Sequence, residues 1–134
     1  MNASARMIPG TLQCETSMRH GRFRLLTDEP PSVGGEDAAA TPHELLAAAL
    51  AACVATTLTM YARTKEWDLG DVEVDADYDT RSEPRKYTVA VRLGGELSPE
   101  QLARLEKVAE SCAVRRSLEA DVVIEETIAA PAHV

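Results

Sequence analysis

The sequence predicts an α+β domain in which one long apolar helix is held against antiparallel hairpins. Three features carry that reading: strand-like alternation in paired segments early and midway along the chain, an uncharged run over residues 45–62 that follows a helix cap, and a second capped, amphipathic helix after Ser98. A chain of 134 residues is one domain's worth and at this size buries roughly two thirds of its unfolded surface, so residues 1–134 read as a single domain. Its five aromatic residues are few for such a core. Packing must rely on Ala, Val and Leu, with elements approaching closely.

Residues 10–18 alternate through Leu12, Cys14, Thr16 and Met18, and residues 23–26 resume after Arg19-His20-Gly21, which suits a hairpin turn. Cys14, in the first of these strands, is expected to point into the core. Residues 27–40 contain Pro30-Pro31 and Gly34-Gly35 and are too long for a simple connection, a length more often functional than ornamental. Thr41-Pro42-His43-Glu44 then has the form of a capping box with Pro at the first helical position, opening a helix to about Lys65. Both of its faces are apolar, one through Leu46, Leu50, Cys53, Thr57 and Met60, the other through Leu45, Ala48, Ala52, Ala55 and Ala62, which is the pattern of a helix covered on all sides.

Alternation returns over residues 72–78 and 87–93, with residues 81–85 as the turn of a second hairpin. Ser98-Pro99-Glu100-Gln101 repeats the cap, and Leu102, Leu105, Val108 and Ala109 mark the buried face of a helix ending near Cys112. A shorter helix over residues 114–118, a last strand over 121–127 and a loose tail over 129–134 complete the chain.

A net charge of -8 argues against nucleic acid and against anionic membrane surfaces as partners. Residues 45–62 have about the minimum length of a membrane span, but Thr56, Thr57, Thr59 and the neighbouring Thr64 and the preference for Ala over Leu or Ile favour a buried helix. Three widely spaced cysteines do not form a secreted disulfide framework, and no basic-then-apolar signal pattern opens the sequence, so the expected location is the cytoplasm. Because one short sheet covers only one side of a helix, the other side of the central helix is expected to meet a second copy of the chain in an obligate homodimer. The alternative is that the later helix covers that face within one chain.

The segment Asp28-Glu29-Pro30, then Gly34-Gly35, then Pro42-His43-Glu44-Leu45-Leu46 leading into Cys53, followed by Met60-Tyr61-Ala62 and by Cys112-Ala113-Val114-Arg115-Arg116, resembles the OsmC/Ohr family of thiol-dependent peroxidases. The resemblance spans roughly residues 10–128, and its most specific element is the Pro-x-Glu-Leu-Leu helix start leading into Cys53. It implies an intertwined homodimer of mixed β-sheets wrapped around long buried central helices. It also implies reduction of organic hydroperoxides by two cysteines without metal or flavin, although the wider family includes members with no established peroxidase role.

By that resemblance Cys53 is the attacking thiol, oxidised to a sulfenic acid, and Cys112 resolves it as a disulfide. A dithiol reductant, dihydrolipoyl or thioredoxin-like, then reopens the bond by exchange. Read from the residues alone, Cys53 is equally a small buried hydrophobe, inert in apolar surroundings and too far along its helix to gain from the helix dipole.

Activation departs from the family pattern. The peroxidases place an Arg and a Glu beside the thiolate; here the family's Glu aligns with His43, and Glu44 occupies the next position. Helix geometry puts His43 about 15 Å from Cys53 and roughly 80° around the axis, and Glu44 about 13 Å away on the opposite face. Either group can therefore serve the thiol only from an antiparallel partner helix. Glu44 is also accounted for by the capping box, and His43 by an exposed first turn. Arg19, in an Arg-x-Gly turn, is the candidate activating cation by resemblance, with Arg22 and Arg24 as rivals. Arg115 and Arg116 follow Cys112 and stand between easing its ionisation and a surface role. Three functional readings result: a hydroperoxide reductase, an OsmC-like dimer binding a small apolar or acyl ligand at the subunit interface, and a structural dimer with unreactive thiols.

Overall fold

The long helix starts where the sequence caps it. In the computed structural model, which describes residues 1–131, helix α1 spans Pro42–Lys65. The Thr41 hydroxyl accepts from the Glu44 amide at 3.2 Å and the Glu44 carboxylate accepts from the Thr41 amide at 3.0 Å, a complete capping box. At the other end Glu66 takes a left-handed conformation, φ 57°, and closes the last turn. Along α1 the residues Leu50, Val54, Leu58 and Ala62 form a buried stripe at i, i+4 spacing.

That stripe is covered by a hairpin and two shorter helices. Strands β4 (Val72–Asp79) and β5 (Lys86–Leu93) pair antiparallel, with Val72 opposite Leu93 and Asp79 opposite Lys86. Val72, Val74, Ala76 and Tyr78 turn inward while Glu73, Asp75, Asp77 and Asp79 face solvent, the period of two that alternation predicts. Helix α2 (Pro99–Ala109) opens on its own capping box from Ser98 and Gln101, and α3 (Ala113–Glu119) follows after a tight turn. Both pack on α1. Leu69 and Leu105 join the α1 stripe and Cys112 in one core cluster.

The first forty residues stand apart from this core. Strands β1 (Ala3–Met7), β2 (Cys14–Met18) and β3 (Phe23–Thr27) form an antiparallel sheet in the order β1-β2-β3. None of their residues belongs to the core cluster. Met7, Phe23, Leu25 and Leu26 are exposed. The β2–β3 turn is built as expected from Arg19, His20 and Gly21, all with positive φ. β1 goes beyond the sequence pattern, because Ala-Ser-Ala-Arg-Met lacks the β-branched alternation that marks a strand; the hairpin turn takes up residues 8–13, so the second strand starts at Cys14 rather than Gly10. Cys14 is half-buried and lies outside the core.

The alternative in which the later helix covers the rest of α1 within one chain does not hold, and neither does the last strand. Within one chain α1 is covered along one side only: Ala49, Ala52, Thr56 and Met60 remain exposed. Residues 121–127 form no strand, and Val123 and Ile124 are 85% and 81% exposed. Their β-propensity is real, but a strand needs a ladder partner, and no strand among the described residues pairs with them. The tail over 129–134 is irregular as far as residue 131, and residues 132–134 lie outside the described residues.

The long connection between β3 and α1 is an ordered clamp. Asp28, 1% exposed, accepts from the amides of Glu29 at 2.8 Å, Ala38 at 3.0 Å and Glu36 at 3.3 Å. The Ala38 amide, foremost among these donors, holds the carboxyl below its usual range. Pro31–Val33 form a single 3-10 turn inside the loop. Gly35 packs so tightly that a Cβ there would collide with the Glu29 carbonyl. Gly35→Ala should therefore lower stability by about 1–3 kcal/mol, read as a lower midpoint of urea unfolding.

Candidate active site

Cys53 lies mid-way along α1, one residue from the buried Val54 and itself half-buried. Cys112 sits at the N-cap of α3 and is fully buried, 0% exposed. The turn that places it there is short: the amides of Ser111 and Cys112 donate to the carbonyls of Val108 and Ala109 at 3.0 and 3.2 Å, and the Cys112 carbonyl already accepts from Arg116 at 3.0 Å. Residues 59 positions apart in sequence thus meet where α3 abuts α1.

The two thiols are driven in opposite directions. Cys53 is held below the usual thiol range, first by the S–H of Cys112 donating to its sulfur, then by the amide of Val114, the hydroxyl of Thr57 and the amide of Ala113, against the opposing effect of burial. Cys112 is pushed up, first by burial and then by donating to Cys53. The ionised form therefore falls on Cys53, which retains solvent access, and the proton stays on the enclosed partner. The first amides of a helix have no intrahelical acceptor, and those of Ala113 and Val114 contribute to lowering the Cys53 pKa. α3 thus supplies what α1, in whose middle Cys53 lies, does not.

The other candidates lie elsewhere in the chain. Arg19 occupies the β2–β3 turn with its guanidinium 5.4 Å from the Phe23 ring centre; Arg22 shares that ring at 5.3 Å, and Arg24 pairs with Glu15 at 2.7 Å. No charged side chain is among the causes of the Cys53 shift. Glu44 completes the capping box, which also lowers its pKa, the Thr41 amide first. The His43 ring meets Tyr78 edge-on at 5.6 Å, and Tyr78 stacks on Tyr87 at 4.2 Å. Arg115 donates to Glu119 at 2.8 Å rather than to either sulfur. Among the described residues no group of three His, Cys, Asp or Glu side chains is arranged to hold a metal ion. Sequence reasoning did not find the helix-start amides of Ala113 and Val114, because their direction depends on tertiary packing; the nearest signal was the short helix expected after Cys112.

The model of the OsmC-like protein family matches residues 34–127. The chain belongs to the OsmC family. Solved structures agree in fold. An OsmC organic hydroperoxide resistance protein from Legionella pneumophila is 25% identical, with 88% of each chain covered and a TM-score of 0.67. A Psychrobacter arcticus protein described as osmotic stress induced and detoxification response is 23% identical over 87% of each chain, TM-score 0.74. An OsmC-like protein of unknown function from Vibrio cholerae is 18% identical, covering 92% of this chain and 96% of its own, TM-score 0.65. A search of curated proteins finds no match. The α+β fold is thus that of OsmC-like structures.

Because the Cys112 thiol is the foremost stabiliser of the Cys53 anion, Cys112→Ala should raise the Cys53 pKa. The pH profile of iodoacetamide labelling at Cys53, resolved by peptide mass, should move to higher pH, and a rise of about one in pKa would slow labelling near neutrality roughly tenfold.

Proposed function

We propose that this OsmC-family chain reduces organic hydroperoxides by a two-cysteine mechanism. The observation that carries the reading is the pairing of a half-buried Cys53, its pKa lowered, with a fully enclosed Cys112, its pKa raised, where α3 packs on α1. The Cys53 thiolate attacks the distal peroxide oxygen; the S–O bond forms, the O–O bond breaks, and the alkoxide leaves and takes a proton from solvent as the alcohol. Cys112 then attacks the sulfenic sulfur, an S–S bond forms, and the sulfenic oxygen departs as water. A dithiol, dihydrolipoyl or thioredoxin-like, restores both thiols by exchange. The Legionella relative, described as an organic hydroperoxide resistance protein, supports the substrate class.

The working unit we infer is a homodimer in the cytoplasm. A monomer of this mass exposes about 6,900 Å², whereas the chain alone exposes 10598 Å². The excess, about 3,700 Å² per chain, exceeds the share that an obligate interface ordinarily takes from one partner. It is accompanied by the bare side of α1, by a β1–β3 sheet outside the core and by the unpaired apolar residues 122–124. One observation favours the second reading, a binding protein for a small apolar or acyl ligand. A cavity of about 1080 Å³ opens between α1, β5 and α2, lined by Leu50, Val54, Val89, Val91, Leu102 and Leu105.

Adding an organic hydroperoxide should consume two thiols per chain and yield a Cys53–Cys112 crosslink on peptide mapping. Cys53→Ser should abolish turnover, and a second-order rate no faster than that of free cysteine would defeat the proposal. Native mass spectrometry should give twice the chain mass without retained ligand; a retained apolar ligand together with idle thiols would favour the binding reading.

A further inference from the structure

α1 carries four threonines at positions 56, 57, 59 and 64. Three of them use their hydroxyls in the way helical threonines ordinarily do, donating to a carbonyl in the preceding turn. Thr56 donates to Ala52 at 2.8 Å, Thr59 to Ala55 at 2.8 Å and Thr64 to Tyr61 at 2.7 Å. Thr57 does otherwise. Its hydroxyl leaves the Cys53 carbonyl alone and lies 3.9 Å from the Cys53 sulfur, the one partner found for it among the described residues.

The placement follows from helix geometry. Side chains lean toward the helix N-terminus, so the residue four positions on covers the surface above its predecessor. Thr57 is half-buried beside a half-buried sulfur. A threonine in a helix has two accessible χ1 wells, one of which gives the backbone bond its neighbours make. Thr57 forgoes that bond, and the atom it faces is the sulfur, which with its proton lost can only accept. The other groups that favour the anion at this sulfur, the Cys112 side chain and the amides of Ala113 and Val114, are likewise uncharged.

We propose that Thr57 is a catalytic residue of the thiol site, its hydroxyl donating to the Cys53 sulfur and holding it in the attacking form. The inference rests on Cys53 being the reacting thiol, as in the proposed function. It makes the site one in which a ring of neutral donors carries the negative charge, and Thr57 is the only side-chain member of that ring outside the cysteine pair among the described residues. The contact is long for the neutral thiol, and loss of the thiol proton draws it in, since an anionic acceptor bonds more strongly and at shorter range.

The test uses the full-length protein and requires no peroxide. The rate of iodoacetamide labelling at Cys53, separated from Cys14 and Cys112 by peptide mass, is followed from acid to alkaline pH for the parent, Thr57→Val and Thr57→Ser. Valine keeps the shape and removes the hydroxyl; serine keeps the hydroxyl and removes the methyl. Thr57→Val should move the profile to higher pH and slow labelling near neutrality roughly three- to tenfold, the effect of raising the thiol pKa by about half to one. Its rate at alkaline pH should match or slightly exceed the parent's, because a more basic thiolate is the better nucleophile. Thr57→Ser should stay with the parent. A valine profile superimposed on the parent's overturns the proposal, and so does a serine variant displaced as far as the valine one, which would assign the effect to packing. Since labelling reads the thiolate directly, a protein that reduces no hydroperoxide but shows the valine displacement loses the proposed function and keeps Thr57 in this role.

Discussion

A thiol in the middle of an apolar helix is ordinarily a weak acid, and the site in this protein depends on one turn that changes that. Between α2 and α3 the chain turns at Glu110, Ser111 and Cys112, and the turn does two things at once. It encloses the Cys112 thiol, and it brings the start of α3 to Cys53, where the amides of Val114 and Ala113 favour the anion. Leu105, fully packed one to two turns earlier, ties α2 to the same core as Leu50, Val54 and Leu58 and so fixes where the turn falls. The hydrophobic packing and the acid–base asymmetry therefore share one arrangement, in which α2 and α3 pack on α1.

Within one chain, and among the described residues, the asymmetry draws on no cation. Family resemblance directs attention to an Arg and a Glu, yet Arg19, Arg22 and Arg24 sit in the β1–β3 sheet and Glu44 caps its own helix. Neutral donors stabilise an anion without placing a second charge in a partly buried site, where a lone cation would bear its own desolvation cost. They also act at contact range, so they are less open to screening by salt than exposed ion pairs. In a chain with net charge -8, this keeps the local preference of Cys53 separate from the overall field.

Much of this was legible in the residues, and the exceptions have physical causes. Thr41-Pro42-x-Glu44 and Ser98-Pro99-x-Gln101 marked both helix starts because capping is local chemistry. The period of two in residues 72–78 marked β4 for the same reason. The two cysteines were visible as candidates, but their meeting is a product of tertiary packing that no local pattern encodes. β1 was hidden by its weak propensity, and residues 121–127 have the look of a strand because propensity does not report whether a partner edge exists. The Asp28 clamp was invisible for a related reason: its three amides come from positions one, eight and ten residues on, which only the folded loop gathers.

The cap on α1 has one more implication. A helix is a rigid ruler and also a screw, advancing about 1.5 Å and turning about 100° per residue. Thr41 and Glu44 lock the zero mark of that ruler, while the Asp28 clamp immediately upstream ties its approach to the end of β3. A slip of a single residue at this point would swing the sulfur of Cys53 by more than a quarter-turn, away from α3 and toward open solvent. Reactivity twelve residues downstream of Thr41 is thus set by phase, and the loop that looks most remote from the chemistry is the one that keeps the thread in register.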